Sequence, residues 1–97
     1  MSALLEQVGA ALREKRCDLR TEIVYKHWIK RFVVFHGRRH PREMGAPEIR
    51  LFLSHLIVAE QISAATWEVA LGALLFLYRE VLKRSLPELD GGQTKEL

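Results

Sequence analysis

The sequence has a single cysteine, Cys17, and only three prolines among its 97 residues. One thiol cannot close an internal disulfide or supply a multi-cysteine metal site, so side-chain packing has to hold the fold. No apolar run approaches the roughly 18 residues that a membrane-spanning helix requires. The segment from Met1 to Lys15 lacks the unbroken apolar middle of a secretory signal. The single cysteine excludes a disulfide scaffold, and the lack of a long apolar run excludes a membrane span. Together these observations favour one cytoplasmic domain.

Positive charge is present in excess, and it is concentrated in the first half of the chain. The whole sequence has a formal net charge of +3. From Arg13 to Arg42 there are ten Lys and Arg residues against three acids, whereas Glu43 to Leu97 holds five against eight. The first half is therefore suited to a polyanionic partner, and the second half is not.

Apolar residues recur at helical spacing along most of the chain and predict four amphipathic helices, with no β-strand. Asp18 and Ser63 are placed to cap the second and fourth helices, and Pro47 falls in the first turn of the third. We therefore predict an all-α fold in which short connections pack the helices as hairpins around one core. The predicted helices run from about Ser2 to Lys15, Asp18 to His36, Pro47 to Glu60 and Ser63 to Arg84.

Two segments are typical of connections rather than helices. His36 to Arg42 contains Gly37 and Pro41, both of which interrupt helices, and its remaining residues are mostly basic. Ser85 to Leu97 is polar and contains a proline and two glycines, a composition typical of a linker or tail. We therefore predict a helical domain over residues 1–86 and a linker or tail over residues 87–97.

Several stretches resemble one known family, the N-terminal domain of integron integrases, which are tyrosine recombinases of the phage integrase family. The similarity extends over about residues 4 to 90. Its first block contains Leu19-Arg20-Thr21-Glu22, Tyr25, His27-Trp28-Ile29, Phe32 and Phe35 to Glu43, and its second block contains Phe52 to Leu56 and Ala70 to Leu82.

The resemblance implies a four-helix SAM-like orthogonal bundle of the core-binding type, which packs on one side of duplex DNA. In the family, a separate catalytic domain closes from the other side and carries the nucleophilic tyrosine with its assisting residues. None of that domain is in this sequence, so we predict no catalytic residue and no enzymatic activity for the chain itself. The implied role is a DNA-binding domain that supports DNA integration and recombination, with residues 87–97 leading toward the catalytic domain.

The second predicted helix and the basic connection hold the candidate DNA contacts. A helical wheel places Lys26 and Lys30 opposite the apolar stripe. A solvated basic face is the alternative, but the neighbouring basic connection and the resemblance favour phosphate contacts. Such contacts give salt-sensitive affinity with little sequence preference. The predicted DNA-binding residues are Arg20, Thr21, Lys26, His27, Lys30, Arg31, Arg38, Arg39, Arg42 and Thr66.

The fourth predicted helix, which the resemblance places at the major groove, has little base-reading chemistry. Glu68 repels phosphates, and Val69 offers at most an apolar contact to a thymine methyl group. Thr66 is either a phosphate contact or part of the helix cap. Val69 and Phe76, predicted on the outer face, either are buried or contact another protein, which would be a second copy of the chain or the absent catalytic domain. The alternative function is therefore a helical interaction or oligomerisation module with little DNA affinity.

The remaining residues with chemical potential favour structural roles. His36 and His40 have the spacing of two ligands on a helix, but the glycine between them argues against that helix, so we predict no metal site. Tyr25, Tyr78 and Trp67 fall on apolar stripes and are predicted core residues. Cys17 lies in a basic stretch, which can activate a thiol, but no catalytic neighbour accompanies it. We predict no cofactor, no membrane contact and DNA as the partner.

Overall fold

Four α-helices account for most of the residues that a computed structural model of the chain describes, 2–86. No strand occurs within that range, so the predicted all-α, four-helix fold is confirmed. A short 3-10 turn, Pro41–Glu43, precedes the third helix, and a π-helical turn, Leu77–Val81, continues the fourth. The predicted linker or tail over residues 87–97 lies outside the described residues. The helices are α1 (Ser2–Glu14), α2 (Leu19–Phe35), α3 (Ala46–Val58) and α4 (Ala64–Phe76).

Short polar side chains begin two of the helices, as predicted. An Asp18 carboxylate oxygen accepts a hydrogen bond from the Thr21 backbone N–H at 2.9 Å, which caps α2. The Ser63 hydroxyl accepts from the Thr66 N–H at 3.1 Å and caps α4. Each cap satisfies a backbone donor that has no partner within its own helix, so these two residues fix where α2 and α4 start.

The helix ends lie closer to the N-terminus than predicted, because residues with positive φ follow the helices. After α2 these residues include Gly37, whose φ is 71°. Regular α-helical geometry in α4 gives way to the π turn after Phe76, and the chain turns away at Lys83, whose φ is 56°. The predicted end at Arg84 is therefore wrong. A non-glycine residue that will adopt a positive φ is rarely recognisable from the sequence. The residues in this conformation are Arg16, Arg38, Gln61 and Lys83, one after each helical segment.

The core forms where α2 packs against α1, α3 and α4. Phe32 of α2 and Phe52 of α3 are fully buried, with ring centroids 5.7 Å apart. Phe35 follows Phe32 at helical spacing, which predicts a buried position on α2, but it is 40% exposed and Val33 is buried instead. The prediction is wrong there because the inward face of α2 turns toward Val33 in its last two turns. The fully buried large side chains include Leu12, Ile29, Ile49, Leu56, Leu74, Leu77 and Tyr78.

A buried hydrogen bond ties the end of α4 to the α2–α3 connection. The Tyr78 hydroxyl donates to the Pro41 carbonyl oxygen at 2.7 Å, and the tyrosine has no exposed surface. Burial raises the pKa of Tyr78 to about 12, so the hydroxyl keeps its proton at neutral pH. The predicted core position of Tyr78 is confirmed.

A buried carboxylate links α1 to α2. Glu22 is 7% exposed, and its Oε2 lies 2.9 Å from both Arg13 Nη1 and Lys26 Nζ. A Cβ atom at Gly9 of α1 would lie 2.7 Å from that oxygen, so the glycine leaves room for the carboxylate. The hydrogen bond from Lys26, assisted by the charge of Arg13, holds the pKa of Glu22 below its usual value.

Tyr78→Phe should lower the free energy of unfolding by about 1 kcal/mol, since it removes one hydrogen bond to a buried carbonyl. The loss stays near this value because the Pro41 carbonyl also accepts from the Met44 N–H at 3.0 Å. Urea denaturation should show a lower midpoint with an unchanged slope. Tyr25→Phe is the matched control, because the Tyr25 hydroxyl has no hydrogen bond within residues 2–86. Equal losses in both variants would contradict this role.

Glu22→Gln should destabilise the domain at neutral pH but not in acid. The folded-state pKa of Glu22 lies below the unfolded value near 4.5, so its contribution is present above about pH 4.5 and is lost as the pH falls through the folded pKa. Urea midpoints of the wild type and the variant should therefore converge on acidification. Glu6→Gln, at an exposed position of α1, is the control and should track the wild type at every pH. A difference between wild type and Glu22→Gln that persists in acid would refute the electrostatic origin.

Candidate nucleic-acid interface

The structure distributes the ten predicted DNA-binding residues over α2, the α2–α3 connection and the start of α4. Thr21, Lys26, Arg31 and Thr66 are half-buried. The other six are exposed, so the predicted surface exists, although its members are not equally available. The exposed six are Arg20, His27, Lys30, Arg38, Arg39 and Arg42.

The outward face of α2 is mixed rather than basic. His27 and Lys30 are exposed on it, but so are Ile23, at 59%, and Val34, which lie on adjacent turns of the same face. The sequence-based wheel did not identify these apolar positions as exposed. A phosphate that approaches α2 therefore meets cations separated by apolar side chains.

Two of the predicted cations are paired with carboxylates that also serve the fold. Lys26 was placed opposite the apolar stripe of α2, but it is half-buried and its Nζ is bound to the buried Glu22 carboxylate. The ion pair with Glu22 draws the side chain toward α1. Arg39 Nη1 lies 3.6 Å from Glu48 Oε2. The other oxygen of Glu48 accepts from the Gly45 N–H at 2.8 Å, which lowers the pKa of Glu48 below its usual value.

Arg31 is held by more partners than any other predicted contact. Both terminal nitrogens of its guanidinium donate to the two carboxylate oxygens of Glu60, one of them at 3.1 Å. Its guanidinium carbon lies 5.4 Å from the Trp28 ring centroid and 5.9 Å from that of Phe52, within cation–π range. His55 Nε2 lies 3.2 Å from Glu60 Oε2. The position of Arg31 is therefore well defined.

Four predicted cations remain available for an external anion. Within the described range 2–86, Arg20, Lys30, Arg38 and Arg42 have no carboxylate oxygen within 4.0 Å. They extend from the first turn of α2 to the 3-10 turn before α3. Unpaired surface cations attract phosphates more strongly than neutralised pairs do. These four are the candidate phosphate contacts, and three of them, Lys30, Arg38 and Arg42, each line a different cleft.

Three surface clefts adjoin these cations. One, of about 350 Å³, includes Arg42 together with the acids Glu14 and Glu80.

The other two clefts have apolar floors bordered by cationic groups. The first has a volume of about 420 Å³ and includes Lys30 and Arg31. The second, of about 340 Å³, includes Arg38 and Arg39 at the far end of α2. The first cleft is completed by His27, Val34, Phe35 and Phe52, and the second by Ala3, Leu4, Val33, His40 and Pro41.

The outer face of α4 is smaller than predicted. Val69 is exposed, but Phe76 is half-buried, with its ring centroid 5.8 Å from that of Tyr25. Of the two alternatives for Phe76, the structure favours burial, because α2 covers this side of α4. A Cβ atom at Gly72 would lie 3.3 Å from the Tyr25 hydroxyl, which shows how closely the two helices approach. Trp67 is half-buried against the core, as predicted.

Thr66 and the two histidines of the connection have local structural partners. The Ser63 hydroxyl lies 3.0 Å from the Thr66 hydroxyl in addition to capping its backbone, which supports the capping role of this turn. His36 Nε2 lies 2.8 Å from the Glu48 carbonyl oxygen, and His40 Nδ1 accepts from the Arg42 N–H. In the described part of the chain, no three His, Cys, Asp or Glu side chains come together as a metal-binding group would require.

The described helices are all too short or too polar to cross a membrane.

The sequence analysis did not identify the acids that form ion pairs with the predicted DNA-binding cations. Glu22 and Lys26 have the i, i+4 spacing of a helical ion pair, so that pairing could have been found. Arg31 and Glu60 are 29 positions apart, and no local pattern joins them. Exposed Arg16 and Arg50 also lay outside the predicted set. The available cations could therefore be recognised only from the tertiary structure.

Comparison with known proteins identifies the family. The family model described as the phage integrase N-terminal SAM-like domain matches residues 4–88. Two relatives, one from Escherichia coli and one from Pseudomonas aeruginosa, both named integrase/recombinase, are 43% identical to the chain over 87 residues. Each alignment covers 90% of this chain and 26% of the relative, so the chain spans about a quarter of the relatives' length. The resemblance seen in the sequence is thereby confirmed, and this chain belongs to the family of phage integrase N-terminal SAM-like domains.

Proposed function

We propose that this domain binds DNA through the phosphate backbone and supports DNA integration and recombination without contributing a catalytic group. The main observation in favour of this proposal is a set of four unpaired cations on α2 and the connection that follows it: Arg20, Lys30, Arg38 and Arg42. Membership in a domain family of phage integrases, and relatives named integrase/recombinase, support DNA as the polyanion. A cationic surface of this kind neutralises phosphates and releases condensed counterions.

Backbone contact is favoured over base recognition by the chemistry of α4. Glu68 and Val69 are exposed there, and neither offers the amide or guanidinium donors that read purine edges. Thr66 is engaged with Ser63. We therefore propose weak, largely sequence-independent binding by this domain alone, with orientation supplied by the phosphates.

The proposed contact is smaller than the sequence indicated. Ion pairs with Glu22, Glu60 and Glu48 engage Lys26, Arg31 and Arg39 within the domain. About four phosphate contacts would give a salt slope of about −4 or shallower in a plot of log affinity against log salt. The affinity should therefore be modest at physiological ionic strength.

A catalytic role for the tyrosines of this domain is not supported. Tyr78 is buried and donates to Pro41, so its oxygen is inaccessible to a phosphodiester. Tyr25 packs against Phe76 and has no base beside its hydroxyl among the described residues. We propose that residues 1–86 form the DNA-binding domain and that residues 87–97 lead toward a catalytic domain.

Lys30→Ala should weaken binding to duplex DNA and lower the salt slope by about one, because one phosphate contact is lost. Arg38→Ala should act alike. Lys26→Ala is the matched control on the same helix and should change affinity much less, since the Lys26 ammonium is already bound to Glu22 within the domain. Fluorescence anisotropy with a labelled duplex at several salt concentrations measures all of them. Undetectable binding at low salt, or equal effects of Lys26→Ala and Lys30→Ala on the affinity, would contradict the proposed interface.

A second candidate function, protein contact, is favoured by exposed apolar side chains. Leu51 is 62% exposed and Val58 is 77% exposed, two turns apart on one side of α3. Val69 of α4 is also exposed. Large apolar groups that remain on the surface are typical of sites that another protein covers.

If protein contact is a function of these faces, the mass of the domain in solution should rise with concentration. Val58→Glu or Val69→Glu should then abolish the rise, since a buried carboxylate at an interface is strongly unfavourable. Sedimentation equilibrium measures the mass. Arg50→Glu, at an exposed polar position of α3, controls for the change of charge. A mass that stays monomeric at every concentration would count against self-association.

A further inference from the structure

We propose that Glu60 masks Arg31 in the free domain and that a DNA phosphate displaces it, so that Glu60 limits the DNA affinity of α2. This inference rests on the proposed DNA-binding function and adds a regulation of the same surface. Glu60 is an intramolecular competitor for the anion site, and Arg31 is a fifth phosphate ligand that becomes available only after exchange.

The geometry of the pair is that of an occupied anion site. Two guanidinium nitrogens of Arg31 donate to the two oxygens of the Glu60 carboxylate. A phosphodiester also has two accessible oxygens, and guanidinium groups bind carboxylates and phosphates in the same two-pronged arrangement. The carboxylate of Glu60 thus occupies the place where two phosphate oxygens would bind.

Arg31 is positioned independently of Glu60. Its guanidinium lies over the rings of Trp28 and Phe52, which are themselves buried in the core. Withdrawal of Glu60 would therefore leave the guanidinium close to its present position, beside Lys30 on the cleft that both residues line. The exchanged phosphate would meet two cations at once.

Glu60 can leave without a change in the fold. Its backbone lies in the turn after α3, which is fixed by hydrogen bonds from Gln61 N–H to Ile57 O and from Ile62 N–H to Leu56 O. The side chains of Arg31 and Glu60 are 34% and 33% exposed, so solvent screens their attraction. Rotation of the Glu60 side chain alone frees the site.

The two other acids that neutralise predicted cations are not displaceable in this way. Glu22 is buried and bridges α1 to α2 through Arg13 and Lys26. Glu48 accepts the Gly45 N–H at the start of α3. Displacement of Glu22 or Glu48 would break a contact that stabilises the fold. The partners of Glu60, in contrast, are side chains that lie at least partly in solvent.

The mask is charged over the physiological pH range. The hydrogen bond from Arg31 is the main cause that lowers the pKa of Glu60, and the neighbouring His55 acts in the same direction. A carboxylate that stays ionised at neutral pH competes with phosphate at all times, and the competition weakens only in acid.

A double-mutant cycle on the whole chain tests the exchange. Glu60→Gln should tighten binding to a labelled duplex by about threefold to tenfold at low salt and steepen the salt slope by about one, the signature of one added phosphate contact. Arg31→Gln alone should weaken binding less than Lys30→Ala does. In the Arg31→Gln background, the added Glu60→Gln change should give no gain beyond that of a general charge change.

Glu43→Gln measures the general charge change, because this exposed acid lies in the basic connection and its carboxylate has no cation within 4.0 Å in the described range. Urea denaturation checks that Glu60→Gln leaves the fold intact. An equal gain in Glu43→Gln, or a full gain in the Arg31→Gln background, overturns the masking role while Lys30→Ala still reports on the interface. Loss of all salt-dependent binding in the wild type overturns the proposed function itself.

Discussion

Helix α2 has to supply both the centre of the core and the charged surface of this domain. It packs against α1, α3 and α4, with Ile29 and Phe32 fully buried among them. Only the strip of α2 that these helices leave uncovered can face a ligand. Lys30 lies on that strip, whereas Lys26 at its edge is drawn into the contact with α1. The width of the candidate interface therefore follows from the packing, since each neighbour that covers α2 removes positions from the outside.

The charge that the domain presents is set by ion pairing as much as by composition. A count over Arg13 to Arg42 indicates a strongly basic segment, but acids from inside and outside that segment neutralise part of it. The pairs differ in kind. The Glu22 pair is buried and belongs to the fold, whereas the Glu60 pair is half-exposed and screened by solvent. The Glu22 pair is thus part of the packing between α1 and α2, whereas the Glu60 pair can exchange with solvent ions more readily.

The sequence predicted what depends on local spacing and missed what depends on tertiary contact. Asp18 and Ser63 identified two helix starts, because a cap acts on its own first turn. The sequence could not decide whether Phe76 is exposed or buried, because only the approach of α2 to α4 determines which side of α4 is covered. The predicted helix ends lay too far toward the C-terminus. At the end of α4 this is because Lys83 adopts a left-handed conformation that its side chain does not favour. The pairing of Arg31 with Glu60 had no local signal at all.

The left-handed residues that end the helices have an electrostatic consequence. The C-terminal end of a helix carries a partial negative charge from its unpaired carbonyl groups, and a nearby cation offsets it. Arg16 follows α1, Arg38 follows α2 and Lys83 follows the π turn after α4. After α2, Gly37 also adopts this conformation, directly before Arg38. Glycine alone at these bends would leave the helix ends uncompensated. Arginine and lysine at these bends mean that a polyanion beside the domain meets positive side chains where it would otherwise be repelled by helix dipoles.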